Sequence, residues 1–171
     1  MRSIRGGAVL AALLAVLAAA LAGCGHASRR RSGDRLLELP VPTQVTVRVG
    51  HLAGLGALLV DGRGRTLYMF PPDAGSKVTC TGPCAGTWPP LVIGTGQRPT
   101  AGAGVNAADL GTLADPNTGA RIITYGGYPL YRYAGDMQSG TANGQGLFLN
   151  GGPWYALTPR MQPITITPGG G

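Results

Sequence analysis

The sequence predicts an all-β domain, two related β-rich repeats packed as one small sandwich or irregular barrel. Three observations predict it. Glycine (30) and proline (14) make up about a quarter of the 171 residues, too many breakers for a helix bundle. Apolar residues recur in short alternating stretches bounded by turn residues, the period of half-buried strands. One short segment also returns 63 positions later, which points to two copies of one unit. Charged residues are only 12%, so this is not a charge-rich disordered chain, and no Gly-X-Y period suggests collagen.

The elements follow in order. Arg2 and Arg5 form a positive start, and Ala8 to Ala22 is an unbroken apolar run. Fifteen residues fall short of the roughly 20 that span a bilayer as a helix, and suit the core of a signal peptide. Leu21-Ala22-Gly23-Cys24 then resembles a bacterial lipobox, in which a diacylglycerol is added to the cysteine sulfur and the chain is cut just before it. Residues 1–23 are thus expected to be a lipoprotein signal peptide, with Cys24 as the lipidated new N-terminus. Residues 24–42, with Arg29, Arg30, Arg31, Arg35, Pro40 and Pro42, read as a flexible basic tether.

Charge is concentrated in that tether. The formal net charge of +7 includes Arg2 and Arg5; from Leu36 onward eight basic residues face six acidic ones. Basic residues beside an anchor favour anionic headgroups by about 1 kcal/mol each. The body has no basic patch interleaved with aromatics, so nucleic acid is not an expected partner. The expected location is extracytoplasmic, on the cell membrane. In that oxidising compartment Cys80 and Cys84, the two cysteines not used for lipid, are expected to pair.

The folded body is expected over 43–167, with 168–171 a disordered tail. Thr43 to Val49 alternates as a strand. Leu55 to Val60 and Arg65 to Pro71 flank the turn Asp61-Gly62-Arg63-Gly64. Asn106 to Leu110 reads as one helical turn capped by Asn106. Ala120 to Tyr125 and Tyr128 to Tyr133, about Gly126-Gly127, read as an extra hairpin in the second copy. Gly146–Leu149, Trp154–Thr158 and Gln162–Thr167 complete the set of short strands. The two repeats cover about 55–93 and 110–159, with Leu55-Gly56 set against Leu110-Gly111 and Trp88 against Trp154.

The repeated segment carries a pattern. Tyr68, Phe70 and Asp73 in the first copy match Tyr131, Tyr133 and Asp136 in the second. Cys80-x-x-x-Cys84 leads into Trp88-Pro89-Pro90-Leu91, and Gly144-Gln145-Gly146 leads towards Trp154-Tyr155. With the lipobox, these features resemble the bacterial secreted-repeat lipoproteins that carry a Tyr-x-(Phe/Trp/Tyr)-x-x-Asp motif. The resemblance covers about 55–159 and implies an all-β extracytoplasmic lipoprotein of unknown function, with no catalytic residues to carry over. Pro71-Pro72 before Asp73 departs from the more polar residues usual there.

Tyr68 and Phe70 share one face of a strand, as do Tyr131 and Tyr133, while Leu67, Met69, Leu130 and Arg132 take the other. The first reading of the motif is a strand-plus-turn lock, with each Asp accepting from turn N–H groups or a Tyr hydroxyl. The second is a carbohydrate or cell-wall contact surface of exposed rings, to which Trp88, Trp154, Tyr128 and Tyr155 would belong. Asp73 and Asp136 as a glycosidase pair are disfavoured, because repeat-equivalent carboxyls share one environment and that chemistry needs two.

Cys80 and Cys84 read first as a structural disulfide. The alternative is a copper or redox accessory protein, with Met69, Met137, His26 or His51 completing soft ligation. Zinc-finger spacing, a haem-attachment motif, a nucleophile elbow and a phosphate loop are all missing from the sequence. The expectation is therefore a non-enzymatic binding or structural module of the cell envelope. It needs no cofactor, and its partners are the membrane, through the lipid anchor, and a wall polymer or an envelope protein.

Overall fold

The computed structural model describes residues 44–165. Cys24, His26, the signal segment 1–23, the tether 24–42 and the tail 168–171 lie outside the described residues. The body is β-rich, as expected, and built from several small sheets that do not close into a barrel.

β1 (Thr46–Leu52) and β2 (Gly56–Asp61) form an antiparallel hairpin in which Val49 faces Leu59. The alternation in the first strand is real, but the strand runs on to Leu52 because β2 offers partners that far. Gly54 and Gly56 hold the positive φ values (78° and 76°) that the tight reversal requires. β3 keeps only Tyr68–Met69, followed by a 3₁₀ turn at Pro71–Asp73. The Pro71-Pro72 pair ends the strand and starts that turn, since neither residue can donate to a ladder.

A short helix, α1 (Pro83–Thr87), precedes β4 (Val92–Ile93) and β5 (Thr100–Ala101), the latter parallel to β1. Asn106 caps a 3₁₀ turn at Ala107–Asp109, its Oδ1 accepting from the Ala108 N–H at 3.1 Å. β6 (Leu110–Ala114) and β7 (Arg121–Tyr125) then make a second hairpin, extended by β8 (Tyr128–Pro129). β9 (Phe148–Leu149) pairs with β10 (Gly152–Pro153), and β11 (Tyr155–Ala156) pairs back to β3. Gln162 to Ile164 makes a single bridge, Leu157 to Pro163, rather than a strand; Ile166 and Thr167 lie outside the described residues.

The hairpin about Gly126-Gly127 is not an addition to the second copy. It is the counterpart of the hairpin about Asp61–Gly64, as the backbone bonding shows. Leu59 N donates to Leu157 O (2.8 Å), Leu157 N to Leu67 O (3.3 Å) and Leu67 N to Leu59 O (2.9 Å), closing a ring of three strands. The same ring is made by Ile123 N to Leu91 O (2.8 Å), Leu91 N to Leu130 O (2.8 Å) and Leu130 N to Ile123 O (2.9 Å). Leu59 thus matches Ile123 and Leu67 matches Leu130. The third strand of each ring comes from the other repeat. The Trp154–Leu157 segment completes the first hairpin, and the Trp88–Leu91 segment completes the second. Between the rings Tyr68 and Tyr131 exchange both backbone bonds, at 2.8 and 3.0 Å.

This exchange buries both faces of the motif strands. Tyr68, Phe70, Tyr131, Trp88 and Trp154 share one core cluster with Cys80 and Cys84. Leu67, Met69, Leu91, Ile123 and Leu130 form a second, aliphatic cluster. At roughly 1.5–3 kcal/mol per large side chain, these two clusters outweigh any other single contribution to the fold.

Candidate functional site

Strand alternation turns Tyr68 and Phe70 to one side of β3, and the 3₁₀ turn beyond it swings Asp73 inward. The equivalent stretch of the second repeat does the same for Tyr131, Tyr133 and Asp136. Each tyrosine then reaches the aspartate of the other repeat. The Tyr68 hydroxyl donates to Asp136 Oδ2 at 2.6 Å, and the Tyr131 hydroxyl donates to Asp73 Oδ2 at 2.6 Å.

The second oxygen of each carboxylate is taken by its own repeat. Asp73 Oδ1 accepts from the Thr79 N–H (2.7 Å) and hydroxyl (2.5 Å). Asp136 Oδ1 accepts from the Asn143 N–H (2.8 Å) and the Thr141 hydroxyl (3.2 Å). Both aspartates and both tyrosines are buried. Burial first, and then the Asp136 carboxylate, push the Tyr68 phenol far above its ordinary range. Burial and Asp73 do the same to Tyr131. The aspartates are therefore acceptors in closed networks, and neither presents a free oxygen to a substrate or an attacking water.

The aromatics are arranged with the same two-fold logic. Trp88 and Trp154 stack face to face, and Phe70 and Tyr133 cover the outer faces, Phe70 on Trp154 at 4.3 Å and Tyr133 on Trp88 at 4.6 Å. Tyr68 meets Trp88 edge-on at 5.4 Å, and Tyr131 meets Trp154 edge-on at 5.2 Å. Gly144 is required here, because a Cβ would come within 2.8 Å of the Trp88 ring. Its N–H donates to the Tyr68 hydroxyl at 3.2 Å.

This corrects the expected contact surface. Trp88 and Trp154 are fully buried, as are Tyr68 and Tyr131, and Phe70 is nearly so. None offers a ring face to a sugar: Trp88 and Trp154 are covered by each other and by Tyr133 and Phe70, and Tyr68, Tyr131 and Phe70 are buried against them. Tyr133, Tyr128 and Tyr155 are partly exposed. The physical reason is the exchange of Trp segments, which the linear sequence does not announce.

The two-fold pattern breaks at the disulfide. Cys80 and Cys84 are bonded, with Cα atoms 5.2 Å apart, and close a loop onto α1. Bonded sulfurs leave no thiolate for a copper ion. Met69 is buried, and Met137 is among the most exposed apolar residues. Asn117 braces the loop by accepting from the Gly82 N–H and donating to the Cys80 carbonyl. The Trp154 indole N–H donates to Leu149 O at 3.1 Å, whereas the Trp88 indole N–H is buried without a partner.

Sequence reading missed Thr79, Thr141, Asn143 and Asn117 as partners of the motif and the loop. The available signal was a polar residue five to seven positions after each motif aspartate. It placed Asp61 in a turn and Arg132 on a strand face, and missed that the two pair. Arg132 Nε donates to Asp61 Oδ2 at 2.7 Å, which settles how an arginine sits in the motif strand. Burial alone would raise the Asp61 carboxyl. The Arg65 N–H, the Arg132 guanidinium and the Arg63 N–H outweigh that and hold it below the usual carboxylate value.

Among the described residues no helix is long and apolar enough to cross a membrane. A family model described as a secreted repeat of unknown function matches the chain twice, over residues 53–92 and 112–158. The two matches coincide with the two motif copies and their Trp segments. No curated protein and no solved structure matches the chain.

Proposed function

This chain belongs to the family of secreted repeats of unknown function, and on that footing we propose that it is a membrane-anchored extracytoplasmic lipoprotein whose folded part is a non-enzymatic binding or structural module of the cell envelope. The observation that carries the reading is the saturation of the motif. Both aspartates and both hydroxyls of the paired tyrosines are buried and spent on each other or on neighbouring turns. A motif of that kind fixes a shape. Any partner then meets the outer surface, away from the buried motif rings Tyr68, Phe70 and Tyr131.

The anchor rests on Cys24 and the apolar run before it. Cys24→Ser tests it: the variant should leave the membrane fraction on alkaline carbonate extraction, while the unaltered chain stays. A variant that remains in the pellet contradicts lipid anchoring.

A further inference from the structure

The turn joining β2 to β3 lines a groove of about 430 Å³ on the outer surface, together with Gln44, Thr46 and Arg132. Three guanidiniums, those of Arg63, Arg65 and Arg132, share this groove with one carboxylate, that of Asp61. Asp61 is already committed. It is buried, and it accepts from the Arg63 N–H (2.9 Å), the Arg65 N–H (3.0 Å) and Arg132 Nε (2.7 Å).

The arginines are committed to different degrees: Arg65 and Arg132 are ion-paired to Asp61, and Arg63 is not. Arg65 Nε is buried, makes no hydrogen bond and stands 3.5 Å from Asp61 Oδ2. Arg63 is exposed and makes no ion pair among the described residues. A fourth guanidinium, that of Arg48, lies across the same turn, where a Cβ on Gly64 would come within 3.1 Å of its Nη2. Elsewhere the described carboxylates are turned inward: Asp73, Asp115 and Asp136 are buried, and only Asp109 is not. Among the described residues, no other carboxylate lines the groove to balance its positive charge.

We propose that this groove binds a phosphate group, either as the free ion or carried on a lipid headgroup. The three guanidiniums exceed the one carboxylate by two charges, which matches a phosphate better than a lone carboxylate ligand. Planar guanidiniums bind tetrahedral oxyanions through paired N–H donors, and the exposed Arg63 guanidinium, outside any ion pair among the described residues, is the donor most open to such a ligand. The site is independent of whether Cys24 carries lipid.

The test uses the full-length chain in a neutral detergent at pH 7. Inorganic phosphate is titrated in, and the arginine side-chain N–H resonances are followed by NMR, with chloride as the control. Resonances of Arg65 and Arg132 should shift and saturate. Arg63→Gln and Arg65→Gln should each weaken binding about ten-fold, the loss of one charged hydrogen-bonding group. Arg63 is exposed, so that variant keeps the fold and the test survives if Arg65→Gln does not fold. Arg98→Gln, on a separate groove, should bind as the unaltered chain does. Absence of any shift at Arg65 and Arg132, or unchanged affinity in Arg63→Gln, overturns the proposal and leaves phosphate on the tether arginines. Phosphatidylglycerol vesicles added to the phosphate complex separate the sources. Displacement of the ion supports the site with a lipid headgroup as its source, and retention supports it with the free ion.

Discussion

The indole rings of Trp88 and Trp154 lie stacked, 3.9 Å apart and within 3° of parallel, one from each repeat. Neither repeat can build this contact alone. Each tryptophan belongs in sequence to one copy and completes the strand ring of the other. The fold is thus an exchange of segments between two similar units, and the stacked pair sits where the exchange is sealed.

Burial of the pair predicts its optical behaviour. Tryptophan emission should be blue-shifted and resist quenching by iodide, and the near-ultraviolet circular dichroism should be strong and vanish on unfolding. Trp154→Ala should cost about 3–5 kcal/mol in chemical denaturation, the range for deleting a large buried ring. A cell-wall polymer should not change tryptophan emission. Ready quenching in the native state would mean that the rings are exposed.

The disulfide should stabilise modestly, because its loop is short. Joining residues four apart removes loop entropy equivalent to about 2 kcal/mol. Cys80→Ala with Cys84→Ala should lower stability by roughly that amount and leave the fold intact. The unaltered body should resist alkylation until reduced. Free thiols in chain isolated without reductant would contradict the bonded pair.

Alkaline pH should unfold the domain. Tyr68 and Tyr131 have phenol values raised in the folded state, so their contribution is complete below the unfolded value near 10 and is lost as pH rises above it. Each adds a slope of about 1.4 kcal/mol per pH unit in that range. Phenolate absorbance should show these tyrosines ionising only as the fold opens. Ionisation that precedes the loss of tryptophan circular dichroism would contradict their burial.

Much of this was legible in the sequence, for identifiable reasons. The repeat could be read because Leu67-Tyr68 and Leu130-Tyr131 are identical pairs in identical positions of the two copies. Turns at Asp61–Gly64 and Gly126-Gly127 could be read from glycine, and Asn106 from its capping chemistry. The segment exchange could not be read. Adjacency in sequence suggests that Trp88 packs with its own hairpin, and only long-range pairing decides otherwise. The same gap made the aromatics candidates for a surface. Alternation assigns Tyr68 and Leu67 to opposite faces, but it cannot say that both faces are covered. Helix α1 carried one readable signal, Pro83 at its first position after Gly82.

The most direct test of the crossed lock is a pair of double-mutant cycles measured by denaturant unfolding. Tyr68→Phe with Asp136→Asn should show a coupling of about 1–2 kcal/mol, because the Tyr68 hydroxyl donates to Asp136. Tyr68→Phe with Asp73→Asn should be additive within about 0.5 kcal/mol, although these two residues share one motif copy. Coupling within the copy and additivity between copies would mean that each repeat locks itself, and would contradict the exchange.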